Sequence, residues 1–522
     1  MTSLKGSLGK HEDHHDIHQL NDEEMTYQIK VQDGLFYESF ERNADAISIQ
    51  ELHLIEDSRE GLPTDASEKT VGINPMIATE EGDSVEDETS PWLRPLEEHT
   101  LPEFHGQVPV PTTGTPWYKA LRAYLGPGTL VAVGYMDPGN WVTDIAGGSA
   151  FGFKLLFVIA MSSLMAMFLQ YLSLKAGLAT NRDLAQICRD SYPRPVVIML
   201  WIIMEIAICA TDLAEVLGSA IAFKLLFNIP LVAGVCITAV DVLFILFLNG
   251  SKFEWMERLV SFLILIILVC FTIQLGYSHP NGVDVMAGFL PSKELFTNNE
   301  MLFVGVGIIG ATVMPHNLFL HSSIILTRDI PRDEASIKEA IHYSRIDTIL
   351  SLTLAFFVNA AILMVAAATF YTNGYHDIAS LEDAYKLLEP ILHSKVAPVV
   401  FGIALLAAGQ NSTLTGTLTG QIVMEGFMNY KISPTFRRLL TRLMAIVPAI
   451  IVTAVGGDKE TNNMLLISQV VLSFALPFAV VPLVHVTSSR LRMGKFANSP
   501  LVNVVAVILS AIIIVLNVVL LV

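Results

Sequence analysis

Two short stretches decide how this chain folds: Asp137-Pro138-Gly139-Asn140 and Gly310-Ala311-Thr312-Val313-Met314-Pro315-His316-Asn317. Each interrupts an apolar run. Proline has no N–H and clashes with the turn before it, and glycine takes dihedrals closed to other residues. Pro138, Gly139 and Pro315 therefore break their helices and release backbone carbonyls. At membrane depth such irregular backbone survives only where it is buried in protein or lines a cavity.

Working outward, the runs around the breaks have no polar face; 263–272, 355–370 and 502–522 are examples. About 20 apolar residues cross a bilayer. Hydropathy predicts eleven spans, at 126–151, 154–177, 196–225, 229–249, 259–277, 300–326, 346–371, 397–427, 440–456, 462–487 and 500–521. The breaks fall in the first and sixth. An offset of five is odd, so the two halves enter the membrane from opposite sides. Paired breaks in an inverted repeat point to a transporter's binding site near the bilayer midplane. The expected architecture is an all-α polytopic membrane protein, with repeat one over 126–277, repeat two over 300–487 and a further helix at 500–521. Loop charges place the N-terminus in the cytoplasm, with 19 of the 25 lysines and arginines after Thr115 on the inner side.

The 522 residues carry a net charge of −18, and all of it lies in the first 115, which hold 25 acidic and 7 basic residues. Residues 116–522 hold 25 of each, and mean hydropathy is +0.52 overall. A soluble enzyme is excluded, as is a nucleic-acid binder, for which no basic face exists at a pI of 5.2. Cys188, Cys209, Cys236 and Cys270 have no paired spacing and read as small buried hydrophobes rather than a disulfide scaffold or zinc site. Residues 1–115 read as an acidic, mostly disordered cytoplasmic arm with transient helix near 45–60. No signal peptide is expected, because the first apolar run begins near Gly126. His11-Glu12-Asp13-His14-His15 fits a zinc-protease pattern, but an acidic terminal segment supplies neither the buried helix nor the cleft. His11, His14, His15 and His18 leave two readings open, gathering metal or keeping the arm soluble.

The breaks bring together a carboxylate, Asp137, an amide oxygen three residues on, Asn140, and a thioether, Met314. A carboxylate inside a membrane is expensive and suggests a cation as its counterpart. Oxygen donors alone suit magnesium or calcium, whereas a thioether favours softer ions. Manganese(II) and iron(II) lead, with cobalt, zinc and cadmium as further cargo. Packing is the plain alternative for Met314; its place beside Pro315, opposite the first break, favours ligation.

These motifs resemble those of the NRAMP family of divalent-metal transporters, whose signatures are Asp-Pro-Gly-Asn in the first span and Met-Pro-His in the sixth. A third family signature matches Gly409-Gln410-Asn411-Ser412-Thr413-Leu414-Thr415-Gly416-Thr417 and continues through Gly420-Gln421 to Met424-Glu425-Gly426-Phe427. The resemblance covers 116–522. It implies the LeuT-like five-plus-five inverted repeat with one further helix, and proton-coupled import of manganese and iron by alternating access. By motif position it puts metal ligands on Asp137, Asn140, Met314 and the carbonyl of Ala311. Gln469 matches a family glutamine that approaches the metal, and Gly134 lends a carbonyl in some states. A related magnesium-carrying branch departs from Met-Pro-His, so Met314 argues against it. The expected protein is a monomer in the lipid bilayer, not an enzyme, with metal ions and protons as substrates and no resident cofactor.

Coupling needs groups that change protonation. His316 and His321 lie on the sixth span, and Glu205, Asp212 and Glu215 on the third, with Asp212 and Glu215 sharing a helix face. The family's proton path runs through the third-span acids and sixth-span histidines; a structural hydrogen bond is the alternative for His321. Two rival functions remain: an organic-solute symporter of the same fold, such as an amino-acid carrier, whose substrate carboxylate Asp137 would repel, and a metal sensor signalling through its arm. Val133-Gly134-Tyr135-Met136 and Trp141 resemble bacterial members, which act in the plasma membrane, with an endosomal or vacuolar membrane as the alternative.

Overall fold

A computed structural model of the chain describes residues 99–522, apart from 103, 113, 239–252, 379, 430–433, 456 and 522, together with three short strands nearer the N-terminus. Two compact units divide the chain, Met1–Ser90 and Pro91–Val522. In the first, β1 (Tyr27–Val31) pairs antiparallel with β2 (Gly34–Glu38), and β3 (Asn74–Pro75) lies on the other edge of β1. These three short strands lie within the arm expected to be mostly disordered. Tyr-Gln-Ile-Lys-Val and Gly-Leu-Phe-Tyr-Glu are rich in aromatic and branched side chains and flank a two-residue connection, which is a hairpin signal. The expected helix near 45–60 and the histidines at 11–18 lie outside the described residues.

The second unit is helical. After α1 (Trp117–Tyr124), the first broken span consists of α2 (Pro127–Gly134) and α3 (Pro138–Phe151). Then come α4 (Leu156–Thr180), α5 (Leu184–Ser191), α6 (Arg194–Phe227) and α7 (Phe253–Ser278). The second broken span, α8 (Asn299–Val313) and α9 (Pro315–Ile324), leads to α10 (Glu334–Thr369), α11 (Leu381–Leu392), α12 (Val396–Met428), α13 (Pro434–Val455), α14 (Gly457–Ser488) and α15 (Pro500–Leu521).

Both second halves start with proline in the first turn, where the missing N–H costs nothing. Asp137 caps α3 with its carboxylate, accepting from Asn140 N at 2.8 Å. Met314 is the single residue between α8 and α9, at φ 36° and ψ 106°.

Among the described residues, eight stretches are long and apolar enough to cross a bilayer. Of the eleven expected spans, the first and second merge into Pro138–Thr180. The fourth falls largely among the residues not described, and the ninth is α13, of 22 residues. Leu501, Val504, Val507, Ile508 and Val515 are exposed along α15, whereas its Asn503, Ser510 and Asn517 are partly or fully buried and hydrogen-bonded within the protein, as a lipid-facing surface requires.

The transporter body begins before residue 116. Residues 99–102 and 104–110 belong to a strap across the face that the loop charges assign to the cytoplasm. Leu101 and Phe104 are 2% and 1% exposed. Thr100 donates to Asp183 Oδ2 at 2.8 Å and lies 3.0 Å from Ser323 Oγ, Leu101 N donates to Glu425 Oε2 at 3.2 Å, and Gly106 N donates to Leu326 O at 3.1 Å. Next, β4 (Val108–Pro109) pairs in parallel with β5 (Arg328–Asp329). Within the strap, the His99 and His105 rings stack at 3.6 Å between centroids. Arg328 fastens the same face, with Nη1 2.6 Å from Glu257 Oε1 and Nη2 2.7 Å from Leu125 O.

Candidate metal centre

The two helix breaks meet at the Asn140 amide. Its Nδ2 donates to Asp137 Oδ1 at 2.7 Å, to Ala311 O at 3.1 Å and to Gly134 O at 3.4 Å. Three oxygens from both breaks thus surround one electropositive group, which is the geometry a cation needs. Asp137 and Ala311 are fully buried and Asn140 is 1% exposed. Asp137 Oδ2 is buried with no hydrogen-bond partner.

Met314 stands at the second break. It is fully buried, and its sulfur is 3.6 Å from Asn317 Nδ2. Asn317 in turn presses against the first break, since a Cβ placed on Gly134 would lie 2.1 Å from Asn317 Nδ2. Gln469 reaches both breaks from α14. A Cβ on Gly139 would meet its Nε2 at 1.9 Å, and one on Gly310 would meet its backbone O at 2.5 Å. Its Nε2 donates to Ser468 Oγ at 3.0 Å, and its Oε1 is buried without a partner. Of the expected ligand residues, Asp137, Asn140, Ala311 and Gly134 are in direct contact, Gln469 packs beside Gly139, and Met314 is linked to Gly134 through Asn317.

Carbonyls freed by the first break are claimed by side chains. Tyr135 O accepts from Asn359 Nδ2 at 2.8 Å, and Met136 O accepts from Trp141 Nε1 at 3.2 Å. Sequence reading passed over Asn317 and Asn359. Asn359 had a usable signal as an isolated amide inside the apolar run 355–370.

The titratable residues divide. His316, 2% exposed, has Nδ1 3.4 Å from Thr211 Oγ1, next to Asp212 on α6. Asp212 and Glu215 are 4% and 1% exposed and face Gly416 of α12, where a Cβ would lie 2.9 Å from Asp212 Oδ1 and 3.1 Å from Glu215 Oε1. One turn on, α6 packs Gly218 against Pro138, where a Cβ would meet the ring at 2.2 Å. The acids are thereby joined to the first break.

His321 turns elsewhere. Its Nδ1 is 2.9 Å from Gln170 Oε1, its Nε2 is 3.5 Å from Thr348 Oγ1, and Gln170 Nε2 donates to Tyr135 OH at 3.0 Å. Glu205 is half-buried, accepts from Trp201 Nε1 at 2.9 Å, and lies two turns from Asp212 between exposed Ile202 and Ile206.

A family model described as "Natural resistance-associated macrophage protein-like" (Nramp) matches residues 128–522. The chain is 52% identical over 415 residues to a divalent metal cation transporter MntH of Listeria innocua, covering 80% of this chain and 92% of the relative. It is 52% identical over 429 residues to an MntH of a Nostoc species, covering 82% and 96% respectively. Among solved structures, the manganese transporter of Eremococcus coleocola superposes with a TM-score of 0.75 at 41% identity, over 80% of this chain and 90% of that one. Mhp1, a nucleobase-cation symporter, matches with a TM-score of 0.52 at 13% identity, over 76% and 90%, a likeness of fold alone. The fold is the LeuT-like inverted repeat, in a multi-pass membrane protein.

Proposed function

The chain belongs to the Nramp family, and we propose that it is a proton-coupled symporter importing manganese(II), with iron(II) as a second cargo, by alternating access. The observation that carries this reading is the convergence of Asp137 Oδ1, Ala311 O and Gly134 O on one buried point between two broken helices. In the loaded carrier the ion takes that point and Asn140 turns its Oδ1 to meet it. Met314 supplies the soft donor that separates transition metals from calcium and magnesium, and Gln469 closes over the ion from α14.

Asp137 must be deprotonated to ligate, which ties metal binding to proton release. The proton then passes through His316 to Asp212 and Glu215, along the contact at Thr211. His321 serves this path by ordering Gln170 and Tyr135 beside the first break, and Glu205 stands at its far end. By its bacterial relatives, the plasma membrane is the site of action.

Uptake of radiolabelled manganese into proteoliposomes with an inward proton gradient tests the reading. Uptake should require Asp137 and acidify the lumen. No uptake, or uptake untouched by Asp137→Ala, overturns it.

A further inference from the structure

Asp144 has no part in the machinery described so far. It lies on α3 seven residues after Asp137, a rise of about 10 Å along the helix, on the side away from the strap. It is 1% exposed, and its Oδ2 has no hydrogen-bond partner. Burying a carboxylate in a membrane interior costs several kcal/mol unless a positive group meets it or it takes up a proton, and a metal ion can replace that proton. Among the described residues no lysine, arginine or histidine pairs with Asp144.

The surroundings follow from the helix. Residues 140, 144 and 148 recur every fourth position and line one strip of α3. At its inner end, Asn140 Oδ1 is 3.5 Å from Asn359 Nδ2 of α10. At its outer end, a Cβ on Gly148 would sit 2.6 Å from Leu363 O and 2.8 Å from Ala366 Cβ, also of α10. The strip therefore runs along α10, and Asp144 sits between those two contacts. The amide at that seam, Asn359, is 2% exposed and spends its Nδ2 on Tyr135 O at 2.8 Å. Its Oδ1 is buried with no partner. Two unpartnered oxygens of different elements thus lie along one buried seam, Asn359 beside the inner ligand Asn140 and Asp144 one helical turn beyond it.

We propose that Asp144 and the Asn359 Oδ1 form an outer cation subsite that takes the divalent ion on its way to Asp137, an inference that rests on the transport reading above. Its donors are all oxygens, so it holds manganese, calcium and magnesium without telling them apart by softness. The thioether belongs to the inner site alone. The carrier collects divalent cations at one place and sorts them at the next.

Calorimetry and uptake test this in full-length protein. Manganese titrated into Asp137→Ala, which removes the inner site, should still show one weak site, and adding Asp144→Asn should abolish it. In uptake assays Asp144→Asn alone should raise the manganese KM about tenfold, more than it lowers the maximal rate. The calcium inhibition constant should rise by a similar factor, and Asp144→Glu, which keeps the charge, should restore both. Absence of the weak site in Asp137→Ala, or a KM unmoved by Asp144→Asn, overturns the subsite. So does an equal loss of maximal rate in the Asn and Glu variants with both constants unchanged, which marks a structural residue. A wild-type protein without manganese uptake sinks the transport reading instead, and the calorimetry then judges the subsite separately.

Discussion

At Met314 one side chain stands at the turn that breaks the sixth span and, in the proposed reading, carries the soft donor. Its backbone sits at φ 36°, a left-handed conformation that costs a non-glycine residue on the order of 1 kcal/mol. A glycine would hold that turn with less strain but would bring no sulfur. Met314→Ala keeps the turn and removes the thioether, so manganese uptake should persist while calcium inhibits it at concentrations about tenfold lower than in wild type. Unchanged calcium competition would show that selectivity lies elsewhere. At this scale the sequence was generous where chemistry and breakage coincide: Asp137, Asn140 and Met314 stand beside prolines in apolar runs. It was silent on Asn317 and Asn359, whose importance comes from packing across helices that local composition does not encode. Glu205 and His321 were grouped with the acids by residue type; the fold gives His321 to α4 and α10, and leaves Glu205 two turns away.

Helices here are held together by close approach, and glycine marks where. A Cβ on Gly177 of α4 would lie 2.3 Å from Ser322 O of α9, a backbone atom that cannot move aside alone. Gly177→Ala should therefore cost about 1–3 kcal/mol and lower the thermal midpoint of the detergent-purified protein. Gly276 of α7 has nothing within 4 Å of such a Cβ. Gly276→Ala should be neutral or stabilising by up to about 1 kcal/mol. Equal midpoints for the two variants would refute the packing argument. The breaks themselves were legible, because proline and glycine act through the local backbone. The strap was not: its Pro- and Thr-containing stretch looks like a linker, and only Leu101 and Phe104, two apolar residues without periodicity, hint that it docks.

For the whole molecule the question is where the transporter starts. The division after Ser90 and the burial of Leu101 and Phe104 separate two truncations that the charge count treats alike. Removing 1–90 should leave uptake unchanged. Removing 1–110 strips two buried apolar side chains, each worth about 1.5–3 kcal/mol, and should lower the thermal midpoint. The stacked His99–His105 pair gives the strap a further property, a sensitivity to acid. Burial, helped by His105, Arg332 and Arg182, lowers His99 to about 4. Burial and Arg332 lower His105, and Asp329 opposes them. An undocked strap regains ordinary histidines near pH 6.5 and binds more protons, so docking is firm above that value and weakens as pH falls toward about 4. Limited proteolysis within 99–110 should be faster at pH 5 than at pH 7.5, and the difference should vanish in a His99→Gln, His105→Gln variant. If the proposed proton coupling holds, protons released on the cytoplasmic side would loosen the strap that docks there, a feedback written in two imidazole rings.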